Sequence, residues 1–290
     1  MRVAICFFGL TRNLKPLTLN MLELNIYNSL KKNNIDYITF LHTYSLKSIT
    51  NPRSKEYNVE LIKDDWKKLN PNYYLIECQD IFDNQFDWQS IYKYGDAWND
   101  NFISLQNLIR QLNSLKKVTQ LMAKYKSNIT NNSINEFDAV IYLRPDQLYY
   151  TPLDINNLLD IINKKDDKII LTAKWAAYTG FNDRFYITNF KTALIVGNRF
   201  DNIIEYCETN KDKTSIWTDN GITIANTVPL YAEGLLKWIS DKNNIKNIFT
   251  NMGAIRMRAN NTYVWCKGMP KIPDSIKKSL DKEQIKLFSR

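Results

Sequence analysis

Apolar residues in this chain fall into short unbroken runs, each ending at a glycine or a polar residue. Val3-Ala4-Ile5-Cys6-Phe7-Phe8 stops at Gly9, Tyr37-Ile38-Thr39-Phe40-Leu41 stops at His42, and Tyr73-Tyr74-Leu75-Ile76-Glu77-Cys78 forms a third run. A strand with one wet face alternates apolar and polar positions, so continuous runs predict strands covered on both faces. Between the first two, Leu17, Leu19, Leu22, Leu24, Ile26 and Leu30 predict an amphipathic helix over 16–32. Strand, helix, strand in that order predicts a parallel sheet with right-handed crossovers.

Residues 45–60 and 80–100 are polar and read as loops. From Phe102 to Tyr125 the spacing of Leu105, Leu108, Ile109, Leu112, Leu115, Val118, Leu121 and Met122 predicts a long helix, which the Asn-rich stretch 128–135 ends. A fourth buried strand, Phe137–Leu143, runs into Arg144-Pro145-Asp146. Shorter strands are expected at 168–172 and 184–187, and helices at 198–208, 219–226 and 229–240, the last opened by Thr227 and Pro229. Pro273 and Asp274 open a Lys-rich amphipathic helix. There is no repeat and no Gly/Ser linker, so one domain is expected over 1–265, with a basic helical tail over 266–290. For that tail, packing is favoured over contact with an anionic membrane.

Composition narrows the partners. A net charge of +9 favours an anionic ligand, but the lysines are scattered, and no zinc-finger, RNP or basic-helix pattern accompanies them. Nucleic acid is therefore not the expected partner. The four cysteines show no paired spacing and there is one histidine, which argues against a Cys/His zinc site. Cys6 and Cys78 lie in strand-like runs and read as reduced core residues. Strand begins at Arg2, which leaves no room for a leader peptide, and no apolar stretch is long enough for a membrane span. A soluble, cytoplasmic protein is the expectation. The chain has no Gly-x-Gly-x-x-Gly, no phosphate-loop Gly-Lys-Ser/Thr and no nucleophile elbow.

In an open parallel sheet, ligands bind beyond the carboxyl ends of the strands. The groups expected on that rim are Gly9, Thr11 and Arg12 from the first strand, His42 and Thr43 from the second, and Arg144 and Asp146 from the fourth. Gly9 admits a ligand close to the backbone, and Arg12 can hold a phosphate in a bidentate contact. A carboxylate directly after a core strand, with proline ending the ladder, can hold a divalent ion against a diphosphate. Gln106 and Arg110 lie one helical turn apart and can face a donor, with a solvated helix face the favoured alternative, while Trp175 and Tyr178 can stack on a sugar or pack in the core.

Here the chain resembles the GT-A glycosyltransferases, whose Asp-x-Asp motif follows a buried strand and binds metal and nucleotide-sugar diphosphate. Three segments together are similar to a glycosyltransferase family of giant viruses and bacterial surface-polysaccharide clusters. They are Phe8-Gly9-Leu10-Thr11-Arg12, Tyr142-Leu143-Arg144-Pro145-Asp146 and Asn182-Asp183-Arg184-Phe185, and the likeness covers roughly residues 1–240. It implies an α/β, GT-A-like, open and mostly parallel mixed sheet flanked by helices, with a Rossmann-like nucleotide-binding half.

It also implies transfer from a nucleoside diphosphate sugar, UDP-linked as the first expectation, to a glycan, lipid or protein acceptor. Host cytoplasm would be the setting if the chain is viral. Asp146 carries over as a metal ligand for Mn2+ or Mg2+, but Arg144 replaces the first Asp of the motif. Arg12 with Arg144 is thus the alternative neutraliser of the diphosphate. Asp219, in Trp217-Thr218-Asp219-Asn220, corresponds to the place of an acidic residue near the acceptor. Asp219, Asp183 and Glu233 are the candidates to take the acceptor's proton. The rival readings are a nucleotidyl- or phosphotransferase, and a basic binding domain that has lost catalysis.

Overall fold

The computed structural model describes residues 1–125, 137–164, 166–211, 230–266 and 268–282, and the backbone alone of 215–219, 222–226 and 286–289. In chain order the strands begin with β1 (Arg2–Phe8), β2 (Asp36–Ser45), β3 (Ser48–Asn51), β4 (Glu56–Glu60) and β5 (Tyr73–Cys78). There follow β6 (Ala139–Leu143), β7 (Gln147–Tyr149), β8 (Ile169–Ala173), β9 (Phe185–Thr188) and β10 (Ser215–Asp219). The last are β11 (Ile222–Asn226), β12 (Lys246–Thr250), β13 (Ala254–Met257), β14 (Thr262–Trp265) and β15 (Lys286–Ser289).

Seven strands form the main sheet in the order β12-β8-β9-β6-β1-β2-β5. Only β9 runs against the rest. This is the open, mostly parallel α/β sheet that the apolar runs predict. Alternate residues of the central runs enter different cores and cover both faces there, whereas β5, expected to be covered as well, is an edge strand with Tyr73, Tyr74 and Leu75 exposed. Val3, Ile5 and Phe7 join Ile141 and Leu143 on one side, while Ala4, Cys6 and Phe8 join Val140 and Tyr142 on the other. The second face is closed by the Ile103–Ala123 helix, which buries Leu115, Val118 and Met122 against it. Helical structure also runs from Pro16 to Lys32 as predicted, with one wider turn over Glu23–Tyr27.

β1 is the pivot of the topology. The chain leaves it toward β2 on one side and later returns to β6 on the other. Neighbouring connections therefore diverge, and a crevice opens at the carboxyl ends of β1 and β6. A second sheet, β15-β14-β13-β7, lies against this edge, and only Arg144-Pro145-Asp146 separates β6 from β7.

Several sequence expectations are corrected. The 45–60 segment carries the β3–β4 hairpin, and 80–100 carries helices Gln79–Gln85 and Gln89–Tyr92. These elements are short and gain their stability from tertiary contacts, so their periodicity is weak. The helix expected at 219–226 is instead half of an antiparallel pair, β10 with β11; Ile216-Trp217 and Ile222-Thr223-Ile224 are β-branched and aromatic, which favours extended backbone. The helix expected at 229–240 runs over Ala232–Lys242; Thr227 and Pro229, named as its start, and the stretch 128–135 lie outside the described residues. The Asp274–Lys282 helix buries Ile276 and Leu280, and β15 pairs with β14, so the 266–290 segment adds a strand as well as a helix. No described helix is long and apolar enough to cross a membrane.

Candidate functional site

A cavity of about 480 Å³ opens where the strand ends meet the second sheet. Gly9 and Arg12 reach it from β1, Tyr44 and Leu46 from β2, Gln79 from the end of β5, and Arg144 from β6. Asp183 and Arg184 enter just before the reversed strand β9, Glu233 from the Ala232–Lys242 helix, and Arg256 and Arg258 from β13 and its exit. Tyr44, Trp98 and Leu108 line it as well, and the Arg53 guanidinium lies 5.8 Å over the Trp98 ring.

The Arg144-Pro145-Asp146 turn is held from both ends. The Tyr149 hydroxyl accepts from the Arg144 N–H at 2.9 Å and donates to the Arg144 carbonyl at 3.1 Å. The Met257 N–H donates to the Asp146 carbonyl at 2.8 Å, which ties the turn to β13. Within it, Arg144 Nε and Nη2 donate to the two oxygens of the fully buried Asp146 at 2.7 and 2.6 Å, a bidentate pair. Arg12 Nε lies 3.5 Å from the same carboxylate. Burial opposes ionisation of Asp146, but Arg144, Arg12 and Arg256 outweigh it and hold the carboxyl far below the usual range.

Arg12 is also fixed by Glu56, whose Oε2 accepts from Nη1 at 3.1 Å. Glu56 is completely buried in the β3–β4 hairpin; it also accepts from the Ala259 N–H at 2.8 Å and stands 3.6 Å from Arg258 Nη1. Arg256 and Arg258 are products of the second sheet, since Arg256 pairs with Gln147 of β7 and with Val264 of β14. Burial first, and then the charges of Arg184 and Arg144, push the Arg256 guanidinium down to about 9. Arg258 is lowered by burial, Arg256 and Arg12. Guanidiniums this close repel one another, and an anion between them relieves the repulsion.

Two carboxylates line the same cavity. Gln111 Nε2 donates to Asp183 at 2.7 Å while its oxygen accepts from Arg144, so one amide links the two charged groups. Burial would raise Asp183, but Arg184, Arg144 and Arg199 hold it below the carboxylate norm. Glu233 moves the other way. Burial, and then the Asp183 charge, push it up to about 7, although Arg184 Nη2 lies 3.3 Å from its Oε1. Two neighbouring acids driven apart in this way give one permanent anion and one group that exchanges a proton near neutrality.

Gly180 sets the position of Glu233. A Cβ built on Gly180 would lie 2.1 Å from the Glu233 carbonyl oxygen, and the Phe181 N–H donates to that oxygen at 3.1 Å.

Not all expected contacts reach the cavity wall. His42 is fully buried, its Nε2 donating to Glu77 at 3.1 Å and its Nδ1 2.8 Å from Ser114 Oγ. Ser114 Oγ in turn accepts from the Gly9 N–H at 2.7 Å. His42 thus braces the β1 exit, where Gly9 takes φ +94°, and its imidazole is lowered by burial. Thr11 is buried, its N–H donating to Thr43 Oγ1 at 3.3 Å. Asp146 stands behind the guanidiniums rather than on the wall. Arg110 is on the wall but is held by Asp83 through bonds of 2.8 and 2.9 Å, and Gln106 binds the Tyr92 hydroxyl. Tyr178 lines the cavity, whereas Trp175 is buried, 5.7 Å from the Arg184 guanidinium carbon. Asp219 ends β10, and its side chain lies outside the described residues.

Gln111, Glu56, Arg256 and Arg258 were not distinguishable as site residues. The only trace of the last two is the Arg-Met-Arg alternation at 256–258, an ordinary strand pattern.

The residues also bear on the metal that an Asp-x-Asp-like turn suggests. Both Asp146 oxygens accept guanidinium N–H groups, and the first acidic position of such a motif is Arg144. Among the described residues no three His, Cys, Asp or Glu side chains are grouped to hold an ion. The donor set does not fit a divalent cation.

No protein-family profile matches the chain. One curated protein, maturase K of Marchantia polymorpha, is 25% identical over 119 residues, 41% of this chain and 30% of that protein. The match therefore spans under a third of that relative's length. Similar solved structures include mouse xyloside xylosyltransferase 1 at TM-score 0.39 and 11% identity, covering 86% of this chain and 85% of that one. The galactosyltransferase LgtC, in complex with donor and acceptor sugar analogues, aligns at TM-score 0.36 and 14% identity over 92% and 76%. A glucose-1-phosphate thymidylyltransferase from Bacillus anthracis aligns at TM-score 0.38 and 9% identity over 88% and 89%.

Proposed function

We propose that this protein is a glycosyltransferase that uses a nucleoside diphosphate sugar, with UDP as the first candidate nucleotide. The observation that carries the reading is the meeting of Arg12, Arg144, Arg184, Arg256 and Arg258 around one cavity, together with the Asp183–Glu233 pair. The cavity lies where an open parallel sheet places its ligands. Clustered guanidiniums suit a diphosphate, and Tyr44 and Trp98 in the lining offer flat rings to a base.

In the transfer, the acceptor hydroxyl oxygen forms a bond to the anomeric carbon while the bond from that carbon to the β-phosphate oxygen breaks. The electron pair stays on the phosphate, and the fixed guanidiniums stabilise the charge that develops there. The acceptor's proton passes to a carboxylate, and Glu233, poised near 7, is the group matched to that task. Asp183 holds Gln111 and, through it, Arg144.

The test is a thermal-shift screen with UDP-, GDP- and dTDP-sugars, followed by an assay of donor hydrolysis on any hit. One donor class should raise Tm, and Arg184→Ala should abolish its turnover while Asp64→Ala, at an exposed position, leaves it intact. Release of a sugar 1-phosphate and a nucleoside monophosphate, in place of a free sugar and a nucleoside diphosphate, would convert the assignment to nucleotidyl transfer. A protein indifferent to every nucleotide sugar would refute both.

A further inference from the structure

The wall of the cavity carries more positive charge than its own carboxylates answer. Five guanidiniums, of Arg12, Arg144, Arg184, Arg256 and Arg258, stand against the four acids Glu56, Asp146, Asp183 and Glu233. Arg256 is the least answered: among the described residues its guanidinium has no ion pair or hydrogen bond, only the Asp146 charge beyond ion-pair distance. Around it, buried donors lack acceptors, namely Arg12 Nε, Arg184 Nη1 and Arg258 Nε. Buried guanidinium N–H groups without partners are costly, and three on neighbouring arginines of one cavity favour an anion with several oxygens.

We infer that Arg256, brought in by the second sheet, takes the place a divalent cation would occupy, so that the site binds and discharges a nucleoside diphosphate without metal. The inference rests on the diphosphate reading above and deepens it. Asp146, with both oxygens committed to Arg144, serves as the counter-ion that keeps the guanidinium ring assembled. Charge balance agrees. Among these nine groups one surplus positive charge, or two when Glu233 carries its proton, meets the double charge of an esterified diphosphate, and Arg53 adds a further cation to the lining, so an added divalent ion would leave the cavity strongly cationic. When the glycosyl bond breaks, the departing phosphate gains a full charge, and Arg256 is the one guanidinium here with no carboxylate to leave.

The experiment is calorimetric titration of UDP, GDP and dTDP into the full-length protein, in EDTA and again with Mn2+. At least one should bind in EDTA with an affinity within about threefold of its value in Mn2+. Arg256→Gln should weaken that binding at least tenfold at both conditions, and Arg256→Lys should recover part of the loss, with melting curves confirming that both variants fold. Binding that tightens tenfold or more on adding Mn2+, or that survives unchanged in Arg256→Gln, overturns the inference and leaves the glycosyltransferase reading standing. Failure of all three nucleotides under both conditions overturns the diphosphate reading itself.

Discussion

Replacing Asp146 with Asn keeps the shape of the side chain and removes its charge. In the native protein that charge receives two Arg144 bonds of 2.7 and 2.6 Å and lies 3.5 Å from Arg12. Removing one partner of a buried ion pair leaves an uncompensated charge and costs about 3–5 kcal/mol. For a domain of this size that corresponds to a fall in Tm of roughly 10 °C. The pH dependence gives a second handle. The folded carboxyl is depressed, so its contribution is present above the unfolded value of about 3.9 and is lost as pH falls below it.

Urea unfolding at pH 7 and again near pH 3 should therefore show a wild-type advantage that shrinks in acid. Inorganic pyrophosphate should raise the Tm of Asp146→Asn more than that of wild type, because an anion replaces the missing charge. Arg144→Met with Asp146→Leu should cost less than either single change, since an apolar pair leaves no stranded charge. A loss below 1 kcal/mol in Asp146→Asn, with equal pyrophosphate shifts, would show that Asp146 is not the keystone of the cluster.

Three further outcomes follow from the same geometry. Glu233→Gln should abolish transfer, and in wild type kcat should climb as pH rises through about 7. The raised carboxyl keeps a proton that the unfolded chain has released, so wild-type stability falls between the unfolded value of about 4.3 and 7; the glutamine variant should lack that slope in denaturation measured at pH 5 and pH 8. Gly180→Ala must displace the Glu233 carbonyl, which a Cβ would approach to 2.1 Å, and should lower kcat more than it lowers nucleotide affinity; a wild-type kcat would contradict this. Ser114→Ala strips the Gly9 N–H of its buried acceptor and His42 of its partner, a loss of about 1–3 kcal/mol in unfolding free energy; a change under 0.5 kcal/mol would sink that account of His42.

The sequence by itself determined most of the main sheet, all but the edge strand β12. Runs such as Val3–Phe8 and Ala139–Leu143 are apolar at every position, and only a strand covered on both faces accommodates that. The long helix was equally legible because ten of its residues are buried along one stripe. Strand ends then pointed to Gly9, Arg12 and Arg144 as rim residues, and the family resemblance to the Asp183–Arg184 step; all of these line the cavity. Tertiary structure decided what each of them does. Asp146 and His42 have the same local sequence signal as a wall residue, yet one turns back onto Arg144 and the other onto Ser114 and Glu77. Arg256 and Arg258 come from a strand nearly a hundred and ten positions away, and Glu56 from a hairpin that looked like loop. Local patterning reports whether a residue meets core or solvent; which charges meet one another depends on how two sheets pack, and no short window of sequence contains that.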